Sequence, residues 1–277
     1  TISFLILAFA LELKTHLITS VWAIEASLLL YIWKKTNHRI FKVFFYILFP
    51  MVILSQMITW ARYFDSDSLN IIFNPVFITS FVVIGSCFMN LFLLKKDSEE
   101  EKSTLEFFEN VFKILCISVI YCSVLFEIIY HISDESFVFI LTLGFLFTLF
   151  YLFAIILFGK KLSISKDFQT GLIYLFLFLL FAHISSSQVA SEIISKKIET
   201  GFFFIHLLYV LPLMYLLFKI IPKSNFIKTF LSHWFISFII VLAFSFELFR
   251  AYLLLNANNL DEIYTLQNHF SILYLPI

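Results

Sequence analysis

Of the 277 residues, 61% are apolar and only 14% charged, against roughly half and a quarter in soluble domains. That excess is too large for one buried core, and the 19 basic and 19 acidic residues balance, so the chain carries no electrostatic footprint for nucleic acid. The apolar residues fall in blocks of about 20, the length that crosses a bilayer's hydrocarbon core. Runs such as "FVFILTLGFLFTLFYLFAIILF" do not alternate as barrel strands do, and the expected fold class is all-α, a polytopic transmembrane helix bundle forming a single domain over 1–277.

In chain order, residues 2–11 read as the end of an earlier helix. Eight spans follow at 17–33, 40–60, 75–94, 109–130, 136–158, 170–186, 202–221 and 229–249, and residues 268–277 read as the start of another. Asn74-Pro75 is a helix start, an N-cap followed by proline at the first helical position. "STLE" at 103–106 fits a capping box, so the fourth helix is expected to begin before its membrane span does. Pro50 and Pro212 fall near the centres of their spans and are expected to kink them. The stretch "SQVASEIISKKIETG" spaces Val189, Ile193 and Ile194 as a short surface helix would. The chain starts at Thr1 inside an apolar run and stops inside another, which reads as a piece of a longer protein. Cys87, Cys116 and Cys122 lie inside apolar runs, an odd number without a C-x-x-C pair, and read as small core residues.

Alternating the loops from side to side sorts the Lys and Arg residues 14 against 5. The richer side carries Lys34, Lys35, Arg39, Lys95, Lys96, Lys160, Lys161, Lys223 and Lys228, and positive residues favour the cytoplasm. Trp33, Trp60 and Trp234 fall at span ends, as an aromatic belt requires.

Three acids lie within spans: Glu25, Glu127 and Glu247. A carboxylate at mid-bilayer costs roughly 2.5–3.5 kcal/mol on insertion scales, so it is expected to face the bundle or a wet cavity. Glu127 has His131 four residues on and Glu247 has Arg250 three residues on, each a same-face partner. The alternation places both pairs toward the outer ends of their helices. Glu25 lies deeper, about 12 Å into its span at 1.5 Å per residue, with Trp22 one turn before it and no local basic partner. Its partner is therefore expected from another helix. His16, His131, His183 and His206 fall at outer span ends, where single histidines commonly serve as amphipathic end residues. No histidine, cysteine or carboxylate spacing matches a metal motif, and no cofactor is implied.

"HLITSVWAIEASLLLYIWKKTNHRIFKVF", followed by "FNPVFITSFVVIGSCFMNLFLL", resembles a family of large bacterial predicted membrane proteins of unknown function. That family repeats a Trp-Ala-x-Glu helix, a basic turn, a second helix and a later Asn-(Pro)-x-Phe helix start. Ala26 stands where the family usually has a small glycine. The resemblance is clearest over residues 1–95. It implies a many-helix inner-membrane protein longer than this chain, and it implies no activity.

With short loops and few polar groups inside the spans, the chain reads first as a structural or accessory component of a cell-envelope assembly, with membrane lipids and other membrane subunits as partners. A transporter or lipid-handling protein using Glu25 is the alternative. A subunit of a protist mitochondrial respiratory complex is a further one, because phenylalanine bias is heavy there too.

Overall fold

The computed structural model describes residues 15–65, 68–95, 102–159, 165–228 and 230–274. The described residues are 87% helical and contain no strand. Eight of the helical segments are long and apolar enough to cross a membrane: 17–36, 39–65, 75–93, 111–131, 137–158, 166–194, 202–223 and 230–256. These are the eight spans expected from the sequence, with ends displaced by up to eight residues, most at the C-terminal end of 166–194, which takes in the short helix expected after that span. The run at 2–11 lies outside the described residues. The chain groups into two compact units, residues 1–131 and 132–277, where the sequence reads as one domain.

Unit 1 contains α1 (Thr15–Thr36), α2 (Arg39–Asp65), α3 (Pro75–Lys95) and α4 (Lys102–His131). The turn from α1 to α2 places Asn37 in the left-handed region at φ 54°, with its N–H donating to Trp33 O at 2.7 Å. Asparagine tolerates that conformation, and the bond satisfies one of the carbonyls that end α1. α3 begins as the sequence predicts: the Asn74 Oδ1 accepts from Phe77 N at 2.8 Å, and Pro75 follows in the first helical position. α4 starts at Lys102, well before its span, as the capping sequence suggested.

Along α1 the fully buried residues are Thr19, Ala23, Ala26 and Leu30, spaced four, three and four apart so that they form one stripe. Three of the four are small, which lets neighbouring helices approach closely where lipid offers no hydrophobic drive to association. Hydroxyls then bond across the seams. Thr19 Oγ1 lies 2.5 Å from Ser55 Oγ, Ser27 Oγ 2.8 Å from Ser86 Oγ, and Ser86 Oγ donates to Ala23 O at 2.6 Å. Below this layer Phe45, Phe49 and Phe112 pack together, the last two edge to face at 4.5 Å between centroids. Cys87 and Cys116 are buried in the same core as free thiols. Trp60 turns inward rather than serving only as a belt residue: its Nε1 donates to Ser80 Oγ at 3.1 Å and its ring meets Phe126.

Unit 2 contains α5 (Phe137–Phe158), α6 (Lys166–Ser186), the short α7 (Val189–Ile194), a broken span, then α10 (Phe230–Asn256) and α11 (Glu262–Tyr274). The broken span runs as α8 (Phe202–His206), a 3-10 turn (Leu207–Tyr209), α9 (Val210–Tyr215), a π-helical turn (Leu216–Ile220) and 3-10 turns to Lys228. Pro212, in α9, has no N–H to give and its ring crowds the carbonyl four residues back, which weakens the regular ladder where the 3-10 turn meets α9. Pro50 differs: α2 is one helix of 27 residues on both sides of it. α5 and α6 start on serine N-caps, with Ser136 Oγ accepting from Phe139 N and Ser165 Oγ from Phe168 N. The core joins Leu149 and Ile156 of α5, Ile173, Phe176 and Leu180 of α6, Tyr209, Leu216 and Ile239. α7 is the expected short helix, and Val189 and Ile193 are buried against Ile198 and Phe202, while Ile194 is only half-buried. The last helix begins at Glu262, six residues earlier than the sequence suggested.

Large apolar side chains cover the outside of both units, among them Ile47, Leu54, Phe81, Phe88, Phe178, Phe218 and Val241. In water such a surface would be an aggregation liability, whereas in hydrocarbon it is the required exterior.

Candidate functional site

Two buried carboxylate clusters form, one in each unit. In unit 2 the cluster is built where the end of α6, the start of the broken span and the last third of α10 meet. Arg250 is 4% exposed. Its Nη1 donates to Glu247 Oε1 at 2.5 Å, one turn away on α10, while Nη2 donates to the Ile184 and Ser187 carbonyls. Those carbonyls end α6 and have no intrahelical donor, so a guanidinium there both satisfies them and meets the negative end of the helix dipole. His206, fully buried at the end of α8, brings Nε2 to 3.1 Å from Glu247 Oε1, and the Tyr209 hydroxyl donates to the same oxygen at 3.0 Å. His183 of α6 completes the group. It is 1% exposed, and its ring lies 4.8 Å from that of His206 and edge-on to Tyr209 and near Phe145.

One oxygen of Glu247 thus takes three donors. The other, Oε2, is buried without a hydrogen-bond partner, and so are His206 Nδ1 and His183 Nε2. Three orphaned polar atoms in one cluster is an unusual concentration, since buried polar groups in native proteins are nearly always paired.

In unit 1, Glu127 is 6% exposed and its hydrogen-bonding capacity is filled. Oε2 accepts from the Tyr63 hydroxyl at 2.6 Å and from Asn74 Nδ2 at 2.9 Å. Oε1 accepts from Ile72 N at 2.7 Å and from Asn74 Nδ2 at 3.0 Å, and lies 3.1 Å from His131 Nε2. The carboxylate therefore ties together the end of α2, the connection into α3, the N-cap of α3 and its own helix. The tie holds Ile72 at φ 65°, a conformation that a β-branched residue adopts only when its surroundings impose it.

The pairs Glu127–His131 and Glu247–Arg250 read from the sequence are both present. Glu25 departs from expectation. It is half-buried, beside Val21 and Leu28, which are 40% and 53% exposed, and it has no hydrogen bond or ion pair with any described residue. Its position is roughly a third of a turn round α1 from the buried stripe, at 100° per residue. That stripe is filled by Thr19, Ala23 and Ala26, whose small size brings α2 and α3 so close that a glutamate has no room there. The groove between α1 and α3, lined by Ile24, Ser27, Leu28, Tyr31, Gly85 and Met89 among others, is apolar and does not include Glu25 or Trp22.

His183 and His206 are not amphipathic end residues; both are interior. Tyr63, Asn74, His183, His206 and Tyr209 complete the clusters from other elements, so sequence spacing does not reveal them. The available signal was positional, because all of them fall at span ends that the alternation puts on one side. Among the described residues no group of histidine, cysteine and carboxylate side chains is arranged to hold a metal ion. In comparisons with known proteins, no family model, curated sequence or solved structure matches the chain.

Proposed function

We propose that this multi-pass membrane protein is a structural or accessory component of a bacterial cell-envelope assembly, seated in the inner membrane with its Lys-rich loops in the cytoplasm. The observation that carries the reading is the Glu127 junction. A buried carboxylate with every acceptor position occupied by its own protein is a brace, because it has nothing left to offer a substrate. The hydroxyl bonds among α1, α2 and α3 serve the same end. Lipids contact the apolar exterior, and other membrane subunits are the expected partners.

The test is purification of the tagged chain from membranes in a mild detergent, followed by native mass measurement. A defined complex with other membrane proteins in fixed ratio is the expected result. A monodisperse single chain that moves a solute across proteoliposomes would overturn the reading. A second reading, transport of a polar solute, is favoured by the buried histidine–carboxylate cluster of unit 2 rather than by Glu25.

A further inference from the structure

We propose that the cluster of Glu247, His206, His183, Tyr209 and Arg250 inside unit 2 is a binding site for a single proton, delivered by water and held on a histidine against the Glu247 carboxylate. The assignment stands apart from the scaffold reading and would hold whether or not that reading survives.

The hydrogen-bond roles lead to it. His206 Nε2 faces Glu247 Oε1 at 3.1 Å and Arg250 Nη1 at 3.5 Å. The acceptor is the nearer, so Nε2 carries the hydrogen and the lone pair of the neutral ring is on Nδ1. That lone pair is buried and unpartnered, as are His183 Nε2 and Glu247 Oε2. All three orphaned atoms belong to groups that exchange protons. A brace would present them to donors, as Glu127 is presented to Tyr63, Ile72 N–H and Asn74.

The charges around the site set its capacity. α10 supplies Glu247 and Arg250, α6 supplies His183, α8 supplies His206, and the following 3-10 turn supplies Tyr209. α5 presents Phe145 and carries no charged residue. On α7, Glu192 pairs with Lys197 at 3.2 Å. Glu247 and Arg250 cancel, and Arg250 is further fixed by two carbonyls. One added proton makes an imidazolium whose charge lies against Glu247. A second would place two cationic rings 4.8 Å apart, which like-charge repulsion opposes. In the binding step a hydronium gives its proton to the imidazole lone pair and leaves as water; release is the reverse, and no other bond changes. His206 and Tyr209, three residues apart, share a face and so reach the same oxygen, and broken helices such as the one around Pro212 carry polar sites inside membranes.

The experiment is nitrogen NMR of the full wild-type chain, labelled at histidine and held in nanodiscs, titrated from about pH 8 to pH 5, the range in which histidine serves as a switch. The two buried rings are recognised because water-soluble Mn²⁺ does not broaden them. One of the two should change from the neutral to the imidazolium pattern while the other stays neutral. In Glu247→Gln, checked for retained helical circular dichroism, both should stay neutral. Two neutral rings throughout in the wild type, or two imidazolium rings, would overturn the proposal, and neither outcome depends on a variant folding.

Discussion

Glu127 and Glu247 are both carboxylates held inside apolar helices, and their surroundings treat them differently. Removing the Tyr63 hydroxyl takes one charge-assisted bond from a filled carboxylate. Tyr63→Phe should therefore lower stability by roughly 1.5–3 kcal/mol, read as a fall in the midpoint of SDS-induced unfolding. Arg250→Met should cost more, roughly 3–5 kcal/mol, because it strands Glu247 and the end of α6 together. The pair Arg250→Met with Glu247→Leu should recover part of that loss, since an apolar pair leaves no buried charge unmatched. If the double variant is less stable than Arg250→Met alone, the ion pair is not the source of the cost. At this scale the sequence was partly legible. Spacings of three and four residues revealed Glu127–His131 and Glu247–Arg250, because those contacts lie within one helix. Tyr63, Asn74, His183, His206 and Tyr209 reach their carboxylates from other elements, and a local period carries no information about which helix faces which. The orientation of Glu25 is hidden for a related reason: the stripe of Thr19, Ala23 and Ala26 takes the inward face of α1, which composition alone does not reveal.

Among the elements, α1 owes its packing to small residues rather than to large apolar ones. Ala26→Leu should add methylenes at a site with no space, separate α1 from its neighbours and cost about 1–3 kcal/mol. Val21→Leu, at an exposed position on the same helix, should leave the unfolding midpoint unchanged. Equal effects at the two positions would mean that the buried stripe does not set the packing. The spans themselves were legible because bilayer thickness imposes a length and a composition that few other structures share. The two prolines show where that legibility stops. Pro212 lies in a span broken into 3-10, α and π turns, whereas α2 passes Pro50 as one helix, and the outcome depends on whether neighbouring groups re-satisfy the freed carbonyl.

Among the described residues most buried polar groups lie inside the units or at span ends and many large apolar side chains face outward, with the half-buried Glu25 as an exception. Within unit 2 the Glu247 cluster lies at one end of the helices, while Lys166, Lys223 and Lys228 begin or end elements at the other. That separation is what alternating spans require, and the excess of Lys and Arg on one side is the basis on which that side is proposed to be cytoplasmic. The most direct measurement is cysteine accessibility in intact cells, on a chain whose three native cysteines are replaced. Glu199→Cys and Lys223→Cys both place a thiol at an exposed position of unit 2. A membrane-impermeant maleimide should label Glu199→Cys in intact cells and Lys223→Cys only after permeabilisation. Labelling of Lys223→Cys alone, or of both from the outside, would contradict the arrangement of the chain in the membrane.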